Sequence, residues 1–148
     1  MSKAFLKEWM VMVQRISGAE RACAVTADLH ICAVSGLDEA ALKSSNFVDF
    51  ITETLRSALQ QGQPVFTNNL IRDMDQAPTT NTHLSEMRFV VAIPLVGVGA
   101  VYLDQPIRMG VISRQVVQKL YDFGLRALTD EALLSASSAA LESAFASG

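Results

Sequence analysis

Residues 89–104 read FVVAIPLVGVGAVYLD and carry the clearest structural signal in the chain. It predicts two β-strands, joined by a glycine turn at Gly97 and Gly99 and closed by Asp104. The apolar residues are consecutive, whereas a strand with one face in water alternates apolar and polar residues. We therefore predict a hairpin at the centre of the domain, with other elements packed on both of its faces.

Composition and charge exclude several classes of function. The chain has 148 residues, of which 50% are hydrophobic and 18% charged, as expected for one compact domain with its own core. Its net charge is −3 and its basic residues are dispersed, which argues against binding to nucleic acid or to an anionic membrane. Lys3, Lys7 and Glu8 interrupt the N-terminal apolar pattern, so we expect no secretion signal and a cytoplasmic protein.

The N-terminal third predicts a helix followed by a hairpin. The helix runs from Lys3 to Ser17 and ends at Gly18. Its apolar residues recur at helical spacing: Phe5, Leu6, Trp9, Met10, Val13 and Ile16. Two strands, Arg21 to Ala27 and His30 to Ser35, are predicted around a two-residue turn at Asp28-Leu29. This register would place Cys32 opposite Val25.

The middle of the chain predicts a second helix, a short strand and a long loop. Asn46 is the predicted N-cap, and Gly62 ends the helix in the C′ position. Pro64 to Thr67 form a brief strand. Residues 68–86 are polar, and a loop of this length inside a compact domain is usually functional or disordered.

The C-terminal part predicts one more helix, capped by Ser113. It covers the sheet up to about Leu128. We therefore place a domain boundary there, with residues 1–128 forming the domain and residues 129–148 an Ala/Ser-rich helical extension. Four apolar residues at a spacing of seven run along this helix: Leu120, Ala127, Leu134 and Leu141. The positions between them are poor for a coiled coil.

Four segments, in this order and with these gaps, resemble GAF domains, a family of small sensor modules. Ser57 to Val65 is similar to the family's step from a helix into the third strand. Asn68-Asn69 follows where the family usually has a short polar turn. Met87 to Asp104 matches its signature hairpin, and Ser113 to Leu128 its closing helix.

The resemblance implies an α+β fold of the GAF-like (profilin-like) type. It has an antiparallel sheet of five to six strands with helices on both faces and the terminal helices on one of them. In the family, the other face encloses a small-molecule pocket and the terminal helices often dimerise. The pocket residues implied are Phe47, Phe50, Phe66, Asn68, Asn69, Thr82, His83 and Arg88. The implied dimer interface consists of Phe5, Trp9, Val13, Leu120, Ala127 and Leu134.

The family's specialised ligand motifs do not occur in this sequence. There is no Asn-Lys-Phe-Asp-Glu motif for cyclic nucleotides, and the polar loop contains no cysteine. The two histidines, His30 and His83, are far apart, so we predict no metal site and name no cofactor. Without a catalytic constellation, we expect no enzymatic activity.

Individual residues leave alternatives open. A buried Arg88 needs an anionic partner, which is either a ligand's carboxylate or phosphate or a nearby acidic residue in the loop (Asp73, Asp75 or Glu86). Asp104 is expected to stabilise the turn that follows it. Cys23 and Cys32 are expected to be reduced core thiols, with a redox pair as the weaker alternative.

The leading hypothesis is a cytoplasmic sensory or regulatory domain. It would bind an unidentified small ligand and signal through the terminal helices of a homodimer to a downstream partner or a fused output domain. The alternative is an interaction module that has no ligand, because side chains fill its pocket and it only dimerises.

Overall fold

The computed structural model describes residues 2–69 and 87–129, and these form one sheet with helices on both faces. The helices are α1 (Ser2–Ser17), α2 (Glu39–Lys43), α3 (Ser45–Gln61) and α4 (Arg114–Thr129). The strands are β1 (Arg21–Thr26), β2 (Ile31–Ser35), β3 (Val65–Asn69), β4 (Arg88–Leu95) and β5 (Gly99–Pro106). A short 3-10 helix, Ile107–Met109, follows β5.

The central hairpin predicted from residues 89–104 is confirmed. All five strands are antiparallel, in the order β2-β1-β5-β4-β3, so β5 is the middle strand and β4 lies beside it. Every residue of β5 is buried. A continuous apolar run is thus explained by a strand that is covered on both faces.

Two separate cores lie on the two faces of the sheet. The first, which we call the terminal-helix core, joins α1 and α4 to the sheet and includes Trp9, Val13, Leu120 and Ala127. The second, the α3 core, joins α3 to the opposite face and includes Phe47 and Tyr102. The predicted placement of both terminal helices on one face is therefore confirmed.

Helix α3 begins earlier than predicted. Its N-cap is Ser44, whose hydroxyl accepts a hydrogen bond from the backbone N–H of Phe47, and the prediction of Asn46 is wrong. Ser44 has the extended backbone of an N-cap, whereas Asn46 already lies within the helix. The predicted end is confirmed, because Gly62 adopts the left-handed conformation at φ +68° and its N–H bonds to the Ala58 carbonyl.

The first hairpin has a longer loop than predicted. The loop comprises residues 27–30, and the N–H of Thr26 donates to the carbonyl of His30 at 2.9 Å. Leu29 has a positive φ of +67°. The register pairs Val25 with Ile31 and then shifts, so the predicted pairing of Val25 with Cys32 is wrong.

The last helix is capped as predicted, since the Ser113 hydroxyl accepts from the N–H of Val116 at 3.4 Å. The predicted end of the domain near Leu128 falls close to the last described residue, and the extension lies outside the described residues. Among the described residues, no helix has both the length and the apolar character needed to cross a bilayer.

Candidate functional site

A buried cluster of charged residues at one end of the α3 core is the most distinctive polar feature of the structure. It is assembled by the register of three strands. Arg21 of β1 lies directly opposite Asp104 of β5, and Val90 of β4 faces Asp104 from the other side. Arg88, two residues before Val90, and Tyr102, two residues before Asp104, share this face because side chains alternate along a strand.

The Asp104 carboxylate is the centre of the cluster. Arg21 binds it in bidentate fashion, with Nε donating to Oδ1 and Nη2 to Oδ2, both at 2.7 Å. The Tyr102 hydroxyl donates to Oδ2 at 2.7 Å, and Arg88 Nε donates to Oδ1 at 3.0 Å. Asp104 has no exposed surface and accepts four hydrogen bonds, so it cannot act as a general base.

Aromatic rings enclose the cluster on the α3 side. The Arg21 guanidinium carbon lies 4.6 Å from the centre of the Phe47 ring, a cation–π contact. Phe47 and Phe50 both meet the Tyr102 ring edge-on, at centroid distances of 6.3 and 6.4 Å. Burial, together with the neighbouring Asp104 charge, raises the pKa of Tyr102 well above its ordinary value, so its hydroxyl remains a proton donor.

Arg88 connects this buried cluster to the surface. Its Nη2 contacts the Glu20 carboxylate, and Glu20 immediately precedes β1. The exposed fraction of the side chain is 15% for Arg88 and 45% for Glu20, compared with 5% for Arg21. The cluster therefore extends from a fully buried carboxylate to a half-exposed one.

The acidic partners of Arg88 in the structure differ from the candidates predicted from the sequence. They are Asp104 and Glu20, whereas Asp73, Asp75 and Glu86 lie outside the described residues. The expectation that Asp104 stabilises the following turn is wrong, because both of its oxygens are engaged by β1, β4 and β5 side chains. Sequence reasoning missed Arg21, Tyr102 and Glu20 as members of one cluster. One signal was present in the sequence: Arg21 directly precedes one apolar run, and Asp104 directly follows another.

The structure does not bring all the predicted pocket residues together. Phe47, Phe50 and Arg88 belong to the α3 face. Phe66 packs on the other face, against the terminal-helix core, where the Arg114 guanidinium lies 4.2 Å from its ring centre. Asn68 is exposed and two residues from Phe66, so strand alternation places it on that same face.

The remaining predicted pocket residues are Asn69, Thr82 and His83. Asn69 pairs in register with Arg88. Thr82 and His83 lie outside the described residues. An open groove of about 370 Å³ lies elsewhere, lined by Lys3, Cys32 and residues of the first hairpin loop and the β4–β5 turn. None of Phe47, Phe50, Phe66, Asn68 or Arg88 lines it.

The predicted interface residues are placed in the interior of the chain. Phe5, Trp9, Val13, Leu120 and Ala127 are all at most 4% exposed and belong to the terminal-helix core. They hold α1 and α4 on the sheet, so these five side chains could contact a second copy only by leaving this core. Leu134 lies outside the described residues.

The two cysteines are separated by the sheet. Cys23 belongs to the α3 core, whereas Cys32 packs against the terminal-helix core, and both are free thiols. Burial raises the pKa of Cys23 from 9.0 to about 12, with a smaller contribution from Cys32. Burial also raises the pKa of Cys32. This placement argues against the redox pair considered from the sequence.

The described residues contain no group of three or more His, Cys, Asp or Glu side chains that could hold a metal ion. His30 is exposed and lies 3.7 Å from the Asp28 carboxylate.

Comparison with solved structures shows that the fold is GAF-like. The chain is similar to the GAF domain/HD domain protein from Geobacter sulfurreducens, with a TM-score of 0.59 and 16% identity over 90% of this chain and 92% of that one. It is also similar to Myxococcus xanthus MglB, with a TM-score of 0.47 and 13% identity over 88% of this chain and 91% of that one. No protein-family model matches the sequence, and no curated protein matches it significantly.

Proposed function

We propose that this chain is a regulatory module of GAF-like fold that acts by forming a homodimer. In this proposal it does not enclose a ligand beneath α3. One observation carries the proposal: in the described residues, α3 fills its own face of the sheet. Phe47, Ile51, Leu55 and Ala58 are at most 2% exposed, and the strand residues beneath them are equally buried.

The energetics of this packing support the proposal. A fully buried Phe, Ile or Leu side chain contributes about 1.5–3 kcal/mol relative to an exposed one. Lifting Phe47, Ile51 and Leu55 off the sheet to admit a ligand would give up this contribution three times. A small ligand would have to replace most of these contacts merely to balance the loss.

We place the association surface on the outer sides of the terminal helices. Val11 of α1 and Leu125 of α4 are large apolar residues that are 39% and 41% exposed. We propose these two residues as the interface, in place of the buried residues predicted from the sequence. The cytoplasmic location, a downstream signalling partner and the absence of catalysis belong to the same proposal.

Native mass spectrometry of the purified protein tests both the proposed dimer and the proposed lack of a bound ligand. We expect a dimer with the mass of two bare polypeptides. The double variant Val11→Glu/Leu125→Glu should be monomeric, because it places charges in the proposed interface. Val96→Glu is the matched control, since Val96 is 61% exposed but lies in the β4–β5 turn. A monomeric wild type, or a double variant that remains dimeric, would overturn the proposed association.

A second candidate is the small-ligand sensor, which one observation favours. Phe50, beside the Tyr102 ring, and Arg88, the first residue of β4, are only partly buried. In the same mass spectra, an additional mass that is lost on denaturation would favour the sensor and contradict the filled pocket.

A further inference from the structure

We propose that Glu20 and Arg88 form an exchangeable anion site, in which a small molecule bearing a carboxylate or phosphate takes the place of the Glu20 carboxylate on Arg88. This inference goes beyond the proposed function, because it concerns the rim of the sheet and does not require a cavity beneath α3. Either proposal can fail while the other holds.

Exposure increases stepwise across the cluster. The side chains of Asp104, Arg21 and Arg88 are 0%, 5% and 15% exposed, whereas that of Glu20 is 45% exposed. Arg88 therefore lies between a buried carboxylate and the solvent, and its outer end binds an exposed anion.

Arg88 is held in a fixed position. Its Nε is bound to Asp104 Oδ1, and Asp104 itself is fixed by the bidentate Arg21 and by the Tyr102 hydroxyl. The Nη2 end of the same guanidinium points to Glu20. A guanidinium held at one end loses little conformational entropy when its other end binds an oxyanion. Its planar geometry suits both carboxylates and phosphates.

The contact between Glu20 and Arg88 is replaceable. Glu20 precedes β1 and reaches Arg88 across 68 positions of sequence, through a side chain that water also solvates. Exposed ion pairs contribute little to stability, because solvent and salt screen them and two long side chains must be ordered. A dissolved anion competes with Glu20 alone, whereas Asp104 is inaccessible to it.

The test uses inorganic phosphate and succinate as probes, with sodium chloride at matched ionic strength as the reference. Binding is followed by the chemical shift of the Arg88 Nε–Hε pair and by the melting temperature. Glu20→Gln removes the competing charge but keeps the size of the side chain. We expect it to bind at least one probe about two- to fivefold more tightly than the wild type does, the factor that an exposed ion pair typically contributes.

Two variants serve as comparisons. Arg88→Gln should abolish the saturable response. Glu53→Gln is the matched control, because Glu53 pairs with Arg56 on the surface of α3 and its loss changes the net charge equally. A response to phosphate alone or to succinate alone identifies the head group. The proposal is overturned if Glu20→Gln binds neither probe, or if Glu53→Gln gains as much affinity as Glu20→Gln.

Discussion

The indole ring of Trp9 lies directly against Gly124, and this contact fixes how closely α1 approaches α4. A Cβ atom added at Gly124 would lie 2.9 Å from two ring carbons and 3.0 Å from Nε1. Trp9 is fully buried, and its Nε1 has no hydrogen-bond partner among the described residues. The two terminal helices therefore meet at a position where only glycine fits.

The substitution Gly124→Ala is expected to destabilise the protein by on the order of 1–2 kcal/mol. Alanine improves helix propensity by up to about 1 kcal/mol, but forcing a methyl group into a packed core typically costs about 1–3 kcal/mol. The overpacking term should dominate, because the obstructing atoms belong to a rigid buried ring. Chemical denaturation of the two proteins measures the difference.

A second substitution separates the effect of helix propensity from the effect of overpacking. In a Trp9→Phe background the obstructing part of the ring is absent, so Gly124→Ala should cost less there or become stabilising. A double-mutant cycle with no coupling between positions 9 and 124 would contradict the contact.

The substitution Asp104→Asn should be much more damaging than Tyr102→Phe. Asparagine leaves Arg21 buried without its carboxylate and turns an N–H group toward guanidinium donors, and breaking a buried pair in this way costs about 3–5 kcal/mol. Tyr102→Phe removes one hydrogen bond to Asp104 but leaves the others, at a cost of about 1–2 kcal/mol. Urea unfolding curves check the order of the two effects, and equal losses would show that the charge pair is unimportant.

Position along the chain explains which features were predictable. The central hairpin was predictable because consecutive apolar residues are a local signal of burial on both faces. The role of Asp104 was not, because its principal partner, Arg21, lies 83 positions away and becomes adjacent only through the pairing of β1 with β5. The alternatives considered for Arg88 were limited in the same way to residues close to it in sequence.

Local backbone geometry explains two further errors, in the first hairpin and at the N-cap of α3. The first hairpin was misassigned because Leu29, a residue that rarely adopts a positive φ, does so here and lengthens the loop. The N-cap of α3 was misplaced because Ser44, Ser45 and Asn46 are consecutive residues with equal capping ability. The predicted interface was placed on the apolar stripes of the terminal helices, and those stripes face the sheet.

The stability of the protein should fall in alkaline solution because of Cys23. Its pKa is about 12 in the folded protein but 9.0 for an ordinary thiol, so the folded state favours the protonated form. The associated stability is fully present below pH 9 and is lost as the pH rises toward 12, with a slope of at most about 1.4 kcal/mol per pH unit. The free energy of unfolding of Cys23→Ala, measured from pH 7 to 10.5, should decline less steeply than that of the wild type. Parallel curves would contradict the assignment.

The two thiols should differ in their reactivity toward an alkylating reagent. Cys23 is completely buried in the α3 core, whereas Cys32 is only partly buried and lines the open groove beside Lys3. Because the reagent must reach the sulfur and only the thiolate reacts, Cys32 should be modified first and Cys23 only on unfolding. Peptide mass mapping after a short exposure to iodoacetamide at pH 8 measures the order. Cys32→Ser, which leaves Cys23 alone, should then be almost unreactive in the folded state, and rapid labelling of that variant would show that the α3 core opens readily.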